Sequence, residues 1–193
     1  MTSYLETSEY IDWQQTDVLA KAKELAQGAE TDEEVARRCY LFVRDCILHS
    51  WDHQKNPVTC KASEVLLHQT GYCYAKSHLL AALLRANDIP AGLCYQRLSV
   101  GSGGPPYCLH GLNAVYLQAY GWYRIDPRGN KFGVQAEFTP PLENLAFAMN
   151  EPQERDLPEI WPKPHPVVVD ILTTMATVEQ VFDNLPDIEL LSF

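Results

Sequence analysis

A cysteine near the middle of the chain stands where a reactive thiol would be expected. Cys73 lies near the start of the stretch GYCYAKSHLLAALLRANDIP, whose apolar segment LLAALL predicts a buried helix that ends before Pro90. The N-terminus of a helix presents unpaired N–H groups and a partial positive charge, which favour the anionic, nucleophilic form of a thiol. Cys73 is therefore a candidate nucleophile, although a cysteine in such a helix is more often a small buried apolar residue.

A histidine and an aspartate further along could serve this thiol. His110 and Asp126 are 126 − 110 = 16 positions apart, and position 118, midway between them, falls in LQAYG, a predicted hairpin turn. In an antiparallel hairpin, residues equally distant from the turn lie opposite each other with their side chains on one face, and a one-residue shift of the turn would leave them diagonal but still within reach. Taken singly, His110 fits a hydrogen-bonded core histidine and Asp126, which precedes a proline, fits a turn residue. Taken together with Cys73, they predict a Cys–His–Asp triad in which the carboxylate orients the imidazole.

The elements that must position these residues fall into a helical first half and a strand-rich second half. Capping residues and helical periodicity predict three earlier helices: one that follows Thr16 and ends at Gly28, one that begins with a capping box at 31–34, and a short one from near Ser63 to Gly71. Partial period-2 alternation predicts strands in AGLCYQRLSV, LHGLNAVYLQ and GWYRIDP. Helices followed by antiparallel strands make an α+β fold.

The remainder of the chain is rich in proline. From about residue 139 to 193 we expect a covering segment, with a short strand at Val167–Leu172 and a helix near Val178–Leu185. No internal repeat or low-complexity segment divides the sequence. We therefore expect a single domain over residues 1–193.

The composition excludes some classes of function. Hydrophobic residues make up 46% of the 193 residues and charged residues 21%, as in a globular protein with a core. The net charge of −10 argues against a nucleic-acid groove, which would need clustered Lys and Arg. There is no run of 18 apolar residues to predict a membrane span, and MTSYLETSEY lacks the features of a secretory signal. We expect a cytoplasmic protein whose six cysteines are thiols.

Three motifs together resemble the core of the transglutaminase-like superfamily. GYCYAKSHLLAALLRANDIPA, HGLNAVYL and GWYRIDP occur in the family's order within about residues 62–130. The resemblance implies a papain-like α+β fold, in which a central helix packs on an antiparallel sheet. By position it implies that Cys73 is the nucleophile, His110 the general base and acid, and Asp126 the orienting carboxylate.

The resemblance also implies the chemistry. Members of the superfamily transfer acyl groups at an amide or ester carbonyl through a thioester, which an amine or water then resolves. The oxyanion of the tetrahedral intermediate needs donors, for which the backbone N–H of Cys73 and either Trp51 or Gln69 are candidates. No cofactor is implied. Because so short a chain offers no evident second site for an amine, we expect hydrolysis of a peptide or amide substrate rather than protein cross-linking.

Two other functions are compatible with parts of the sequence. One is a non-catalytic domain of the same fold that binds peptides or a partner protein. The other is a zinc-binding module, suggested by the four residues Cys39, Cys46, His49 and His53. Spread along a single helix over about 20 Å, these four cannot all reach one tetrahedral metal, so we expect core cysteines and no metal site.

The sequence also gives expectations for three further residues. Arg128 and Asn130 follow Asp126 and are expected at the rim of the cleft, either binding substrate or forming a solvated turn. Cys60 is expected to be exposed in a loop.

Overall fold

A computed structural model describes residues 1–101 and 103–187. Its helices are α1 (Thr16–Ala26), α2 (Asp32–Cys46), α3 (Ser50–His53), α4 (Ala62–His68), α5 (Cys73–Arg85), α6 (Pro166–Thr174) and α7 (Val178–Asp183). Its strands are β1 (Leu48–His49), β2 (Thr70–Gly71), β3 (Ala91–Ser99), β4 (Tyr107–Leu117), β5 (Gly121–Ile125) and β6 (Arg155–Asp156). Four strands form an antiparallel sheet in the order β5-β4-β3-β6, and β1 pairs with β2 in a separate parallel ladder. The predicted α+β, papain-like fold class is confirmed.

Helix α5 runs through the centre of the molecule. All 13 of its residues are buried, and it packs on one side against β3 and β4 and on the other against α1, α2 and α4. Its close approach to the sheet depends on Gly111 in β4, because a Cβ atom there would lie 2.8 Å from Cδ1 and 3.1 Å from Cα of Tyr74. The hydroxyl of Tyr74 donates to the carbonyl of Leu109, which fixes the helix on the same strand.

Two cationic side chains of α5 are buried and bind backbone carbonyls. Lys76 donates to the carbonyls of Arg44 and Ile47, at the C-terminal end of α2 where helix carbonyls lack partners within the helix. Arg85 donates through two nitrogens to the carbonyl of Ala91, at the start of β3. Burial lowers the pKa of Lys76 to about 7 and that of Arg85 to about 10. These contacts lock the orientation of the central helix.

The helix starts and ends agree with the sequence signals in part. The side chain of Thr31 accepts the N–H of Glu34 at 3.1 Å, so the predicted start of α2 is confirmed. The predicted end of α4 at Gly71 is wrong. That helix ends at His68, because Gln69 adopts the left-handed conformation with φ of 52°, and Gly71 belongs to β2.

The predicted strand at Val167–Leu172 is also wrong, since these residues lie within α6. Pro166 occupies the first helical position, where its missing N–H costs nothing, and the ring of His165 accepts the N–H of Val167 at 3.3 Å. Val168, Ile171 and Leu172 are buried, at the i, i+3, i+4 spacing of one helix face. The β-branched run from Val167 to Val169, with Ile171, favours a strand locally, and tertiary packing overrides that preference.

The predicted covering segment can be followed as far as residue 187. Its short strand β6 pairs with β3, and Trp161 bridges to Leu93 of the same strand, so the segment extends the sheet at its β3 side. The predicted helix near Val178–Leu185 is confirmed as α7. Residues 188–193 of the covering segment lie outside the described residues. Within the described ranges, none of the helices has the length and apolar character needed to cross a membrane.

Candidate active site

Cys73 is the first residue of α5, as its sequence context indicates. The preceding residue, Tyr72, is the N-cap and follows directly on β2, so the thiol lies where the small parallel ladder meets the central helix. The Cys73 side chain is 7% exposed. Its Sγ accepts a hydrogen bond from the backbone N–H of Gly111 at 3.5 Å. The sulfur therefore lies at the helix N-terminus and at the edge of β4 at once.

His110 and Asp126 are in direct contact. Nε2 of His110, in β4, lies 2.7 Å from Oδ2 of Asp126, the residue that follows the end of β5. Asp126 is fully buried, and its two oxygens also accept the backbone N–H groups of Arg128 and Ala146, each at 3.1 Å. The carboxylate is thus held in place by three donors.

The hairpin that joins these two residues has a slightly different register from the predicted one. Leu117 pairs with Gly121 and Asn113 with Ile125, so the centre of the turn is at position 119 rather than 118. His110 and Asp126 are therefore diagonal neighbours instead of directly opposite residues. Diagonal neighbours share a face of the sheet, and the long imidazole spans the extra distance.

The site shifts the proton equilibria of both residues. Burial alone would lower the pKa of His110, but the charge of Asp126, the nearby Cys73 sulfur and hydrogen bonds to both raise it above its ordinary value. Burial alone would raise the pKa of Asp126, and the charge and hydrogen bond of His110, with the two backbone donors, lower it. Since Nε2 of the ring faces Asp126, Nδ1 is the nitrogen left for Cys73. His110 can therefore hold a proton between a carboxylate and a sulfur.

Cys73 and His110 open onto a cavity of about 700 Å³, and Asp126 lies behind the histidine. The ring of Phe147 meets the His110 ring edge-on at 5.0 Å between centroids. Other residues on the cavity wall include Tyr72, Leu98, Val134, Ala148, Phe182 and Leu185. This volume, and a lining that combines apolar side chains with polar and charged ones, are typical of sites that take organic ligands.

A second histidine, His49, also lines the cavity and lies beside Asp52, and sequence reasoning missed this pair. The β1–β2 ladder sets His49 opposite Gly71, two residues before Cys73. Its Nδ1 lies 3.7 Å from Oδ2 of Asp52, too far for a hydrogen bond. Burial, followed by the charge of Arg128, lowers the pKa of His49 well below its ordinary value.

Asp52 forms ion pairs with two cationic side chains rather than with His49. Arg128 donates to both of its oxygens, at 2.7 and 3.1 Å, and Lys131 to Oδ1 at 2.6 Å. Arg128 and Lys131 both line the cavity, and Arg128 lies where the sequence placed it. The H-x-x-D spacing of His49 and Asp52 is the signal that the sequence offers for this pair.

The two candidates for a second oxyanion donor are separated by the structure. Trp51 lines the cavity, and its ring stacks on that of Phe182 with 3.7 Å between centroids and 3° between planes. Gln69 is exposed at the end of α4 and is not among the cavity-lining residues. Only Trp51 is placed to contact a ligand there.

The remaining residues singled out from the sequence have structural roles. Helix α2 ends at Cys46, so His49 and His53 do not share a helix with the two cysteines, and no metal-binding group of three or more His, Cys, Asp or Glu occurs within residues 1–101 and 103–187. Asn130 binds Ala136 and Glu137 and holds its own loop together. The expectation that Cys60 is exposed is wrong: it is 3% exposed and its carbonyl is bound by the buried ring of His78.

Comparisons with known proteins agree with the geometry at the level of fold and family. A family model described as the transglutaminase-like superfamily matches residues 19–127, while no curated protein sequence matches. A candidate cysteine protease from Cytophaga hutchinsonii superposes with a TM-score of 0.52 and 19% identity, over 66% of this chain and 41% of that one. The periplasmic domain of TgpA from Pseudomonas aeruginosa gives a TM-score of 0.48 and 19% identity, over 64% and 45%. The chain thus spans less than half the length of either neighbour.

Proposed function

The chain belongs to the transglutaminase-like superfamily, and we propose that it is a cysteine-dependent enzyme that hydrolyses amide bonds of peptide-like substrates through a thioester on Cys73. The observation that carries this proposal is the position of His110. One nitrogen of its ring is hydrogen-bonded to the buried carboxylate of Asp126, the nearby Cys73 sulfur also raises the pKa of the ring, and both Cys73 and His110 face one cavity.

The proposed reaction begins with proton transfer between the two reacting groups. His110 takes the proton of the Cys73 thiol, and Asp126 stabilises the resulting imidazolium and fixes the ring through Nε2. The sulfur adds to the amide carbonyl, which forms the S–C bond and an oxyanion. Collapse of this intermediate breaks the C–N bond, and His110 returns the proton to the departing amine. Water, deprotonated by His110, then cleaves the thioester and regenerates the thiol.

The oxyanion needs donors on the side of the cavity away from His110. Cys73 supplies its own backbone N–H, at the helix N-terminus where such groups have no partner within the helix. We assign the second donor to the indole N–H of Trp51, which lines the cavity in the direction of β1 and α3. The stack on Phe182 holds the plane of its ring.

Electrophilic peptide probes test the nucleophile. A peptidyl chloromethyl ketone should label Cys73 of the folded protein, as mapped by mass spectrometry, and peptide coumarin-amides should be hydrolysed by the wild type and not by Cys73→Ala. Cys108 is the matched control because it lines the same cavity: Cys108→Ala should keep the activity. A primary amine added to the reaction distinguishes hydrolysis from transamidation.

Two outcomes would refute this assignment. Labelling concentrated on Cys108 or on the exposed Cys46 would show that the reactive thiol is elsewhere. Binding of the peptides without labelling or turnover would instead favour a non-catalytic peptide-binding domain.

A further inference from the structure

Beside the thiol, part of β4 has an edge that β5 does not cover. Strand β5 pairs with β4 only from Asn113 to Leu117, so β5 leaves the residues before Asn113 unpaired on that side. Backbone N–H groups of alternate residues in a strand point to the same edge. The N–H of Gly111 points to Cys73 Sγ, and two residues earlier the N–H of Leu109 points the same way.

This edge is occupied by a peptide segment of the chain itself. The N–H of Leu109 donates to the carbonyl of Pro186 at 2.7 Å. The neighbouring Leu185 lines the cavity that contains Cys73. Because two residues of a strand span about 7 Å, the Pro186 carbonyl binds the edge about one strand repeat from the position of the sulfur.

The next residue of the segment meets a carboxylate-binding group. Asp187 accepts two hydrogen bonds from the guanidinium of Arg97, at 2.6 Å from Nε and 2.5 Å from Nη2. Arg97 is 8% exposed and its guanidinium lies 4.1 Å from the centroid of the Tyr107 ring. Its Nη1 donates to the carbonyl of Gln153 at 3.3 Å. A buried, stacked arginine in this forked geometry favours a carboxylate over a neutral amide.

We infer that this edge is a substrate subsite for an extended peptide that presents an apolar side chain to the cavity and a carboxylate, two positions later, to Arg97. In this structure Leu185, Pro186 and Asp187 occupy it as an internal ligand. The inference rests on the proposed function in one respect only, that the cavity at Cys73 receives peptide substrates. The subsite inference adds the kind of peptide that should bind and the internal contacts that a substrate must displace.

The mode of binding follows from strand chemistry. An extended peptide bound at an open strand edge gains main-chain hydrogen bonds that do not depend on sequence, and side-chain pockets then provide selectivity. Here the main-chain donor is Leu109, and the selective group is Arg97. Because the internal segment is tethered through α7, it competes at an effective concentration of about the millimolar range. A free peptide should therefore bind well only when the internal contact is weakened.

Peptide binding to the full chain with Cys73→Ala tests this subsite without any turnover. The probe is fluorescent acetyl-Asn-Leu-Pro-Asp-amide, which copies residues 184–187, and its comparison peptide has Asn in place of Asp. Adding Asp187→Asn should strengthen binding of the acidic probe by about tenfold or more, the effect of losing a charge-assisted pair in the competitor. Asp183→Asn, a change of the same charge at an exposed position of α7, is the matched control and should leave binding unchanged.

Selectivity for the carboxylate is the second readout. The Asp187→Asn chain should prefer the acidic probe to its Asn counterpart by about tenfold, and Arg97→Gln should abolish that preference. Equal binding of the two peptides, or no gain from Asp187→Asn in a chain whose melting temperature is unchanged, would overturn the subsite. If Asp187→Asn does not fold, the Cys73→Ala chain with Asp187 intact is titrated with both peptides at higher concentration, and its preference for the acidic peptide should be lost when Arg97→Gln is added. Should Cys73 prove unreactive while these preferences hold, the proposed catalysis fails and the subsite stands.

Discussion

Two histidines line the cavity, each beside an aspartate, and the two pairs behave in opposite ways. On what we term the β4 wall, His110 bonds Asp126 directly at 2.7 Å and its pKa is raised by that carboxylate and the nearby sulfur, against the effect of burial. On what we term the α3 wall, His49 and Trp51 line the cavity and Asp52 lies next to His49. There, burial and a nearby arginine lower the pKa of His49 well below its ordinary value.

The difference lies in what else each carboxylate binds. Among the described residues, the partners of Asp126 besides His110 are backbone N–H groups, whose partial charges leave most of its negative charge to the histidine. Asp52 already binds the cationic groups of Arg128 and Lys131 and stays 3.7 Å from His49. A histidine–aspartate pair therefore predicts a proton-transfer site only when the carboxylate has no cation of its own. In our account the β4 wall transfers protons and the α3 wall stabilises the oxyanion.

The largest expected effect comes from removing His110, and removing His49 is the comparison. His110→Ala should lower kcat/KM for the peptide coumarin-amides by about 10⁴-fold or more, because general acid–base catalysis and the thiolate partner are both lost. His49→Ala leaves the proton-transfer group intact, so activity should stay within about tenfold of the wild type, equivalent to about 1.4 kcal/mol in the barrier. Steady-state kinetics on both variants, with thermal melts as a folding control, compare the two walls. Equal losses would contradict the division of roles.

An intermediate effect is expected on the α3 wall itself. Trp51→Phe keeps an aromatic ring to stack on Phe182 and removes the indole N–H. Loss of one oxyanion donor should reduce kcat by about 10²- to 10³-fold with a small change in KM. Gln69→Ala is the control from outside the cavity and should have wild-type kinetics. A wild-type kcat for Trp51→Phe would assign the second donor to another group.

The smallest expected effect is the pH dependence of the free energy of unfolding. It should have opposite signs for His49 and His110. Because the folded pKa of His49 is depressed, the unfolded chain binds a proton that the folded chain does not, so stability is lost as the pH falls below about 6.5. Because the folded pKa of His110 is raised, its contribution is present below about 6.5 and is lost as the pH rises through the folded value.

Urea unfolding of His49→Asn and His110→Asn between pH 5 and 8 measures these signs. Relative to the wild type, His49→Asn should gain at most about 1.4 kcal/mol per pH unit as the pH falls below 6.5, whereas the deficit of His110→Asn should shrink as the pH rises. The lowered pKa of His78, about 4, affects both chains alike and cancels in the difference. Parallel curves for wild type and variants would show that the two walls do not differ in protonation.

Those parts of the molecule that follow from local signals could be predicted from the sequence. The capping side chain of Thr31, the apolar run of α5 and the alternation in β3 to β5 are local patterns, and each lies in the predicted element. The contact between His110 and Asp126 could be predicted because one hairpin register determines which residues of the two strands lie near each other.

The α3 wall could not be predicted in this way. The position of His49 depends on a parallel pairing of two-residue strands, Leu48 with Thr70 and His49 with Gly71, for which the sequence carries no periodic signal. Asp52 binds Arg128, a residue 76 positions away, and the charge of Arg128 adds to burial in lowering the pKa of His49. The electrostatics around His49 depend on residues far apart in the chain, and local sequence patterns carry no information about such contacts.

The central claim is that Cys73 reacts as a thiolate paired with a protonated His110. The most direct measurement is the rate of iodoacetamide alkylation at pH 6, resolved by mass spectrometry, with the exposed Cys46 of the same molecule as the reference thiol. An ordinary thiol, with a pKa of about 8.5, is almost entirely protonated at this pH. The account predicts that Cys73 reacts about tenfold or more faster than Cys46 in the wild type and loses this advantage in Asp126→Asn. Rates for Cys73 no faster than for Cys46, in a folded protein, would contradict it.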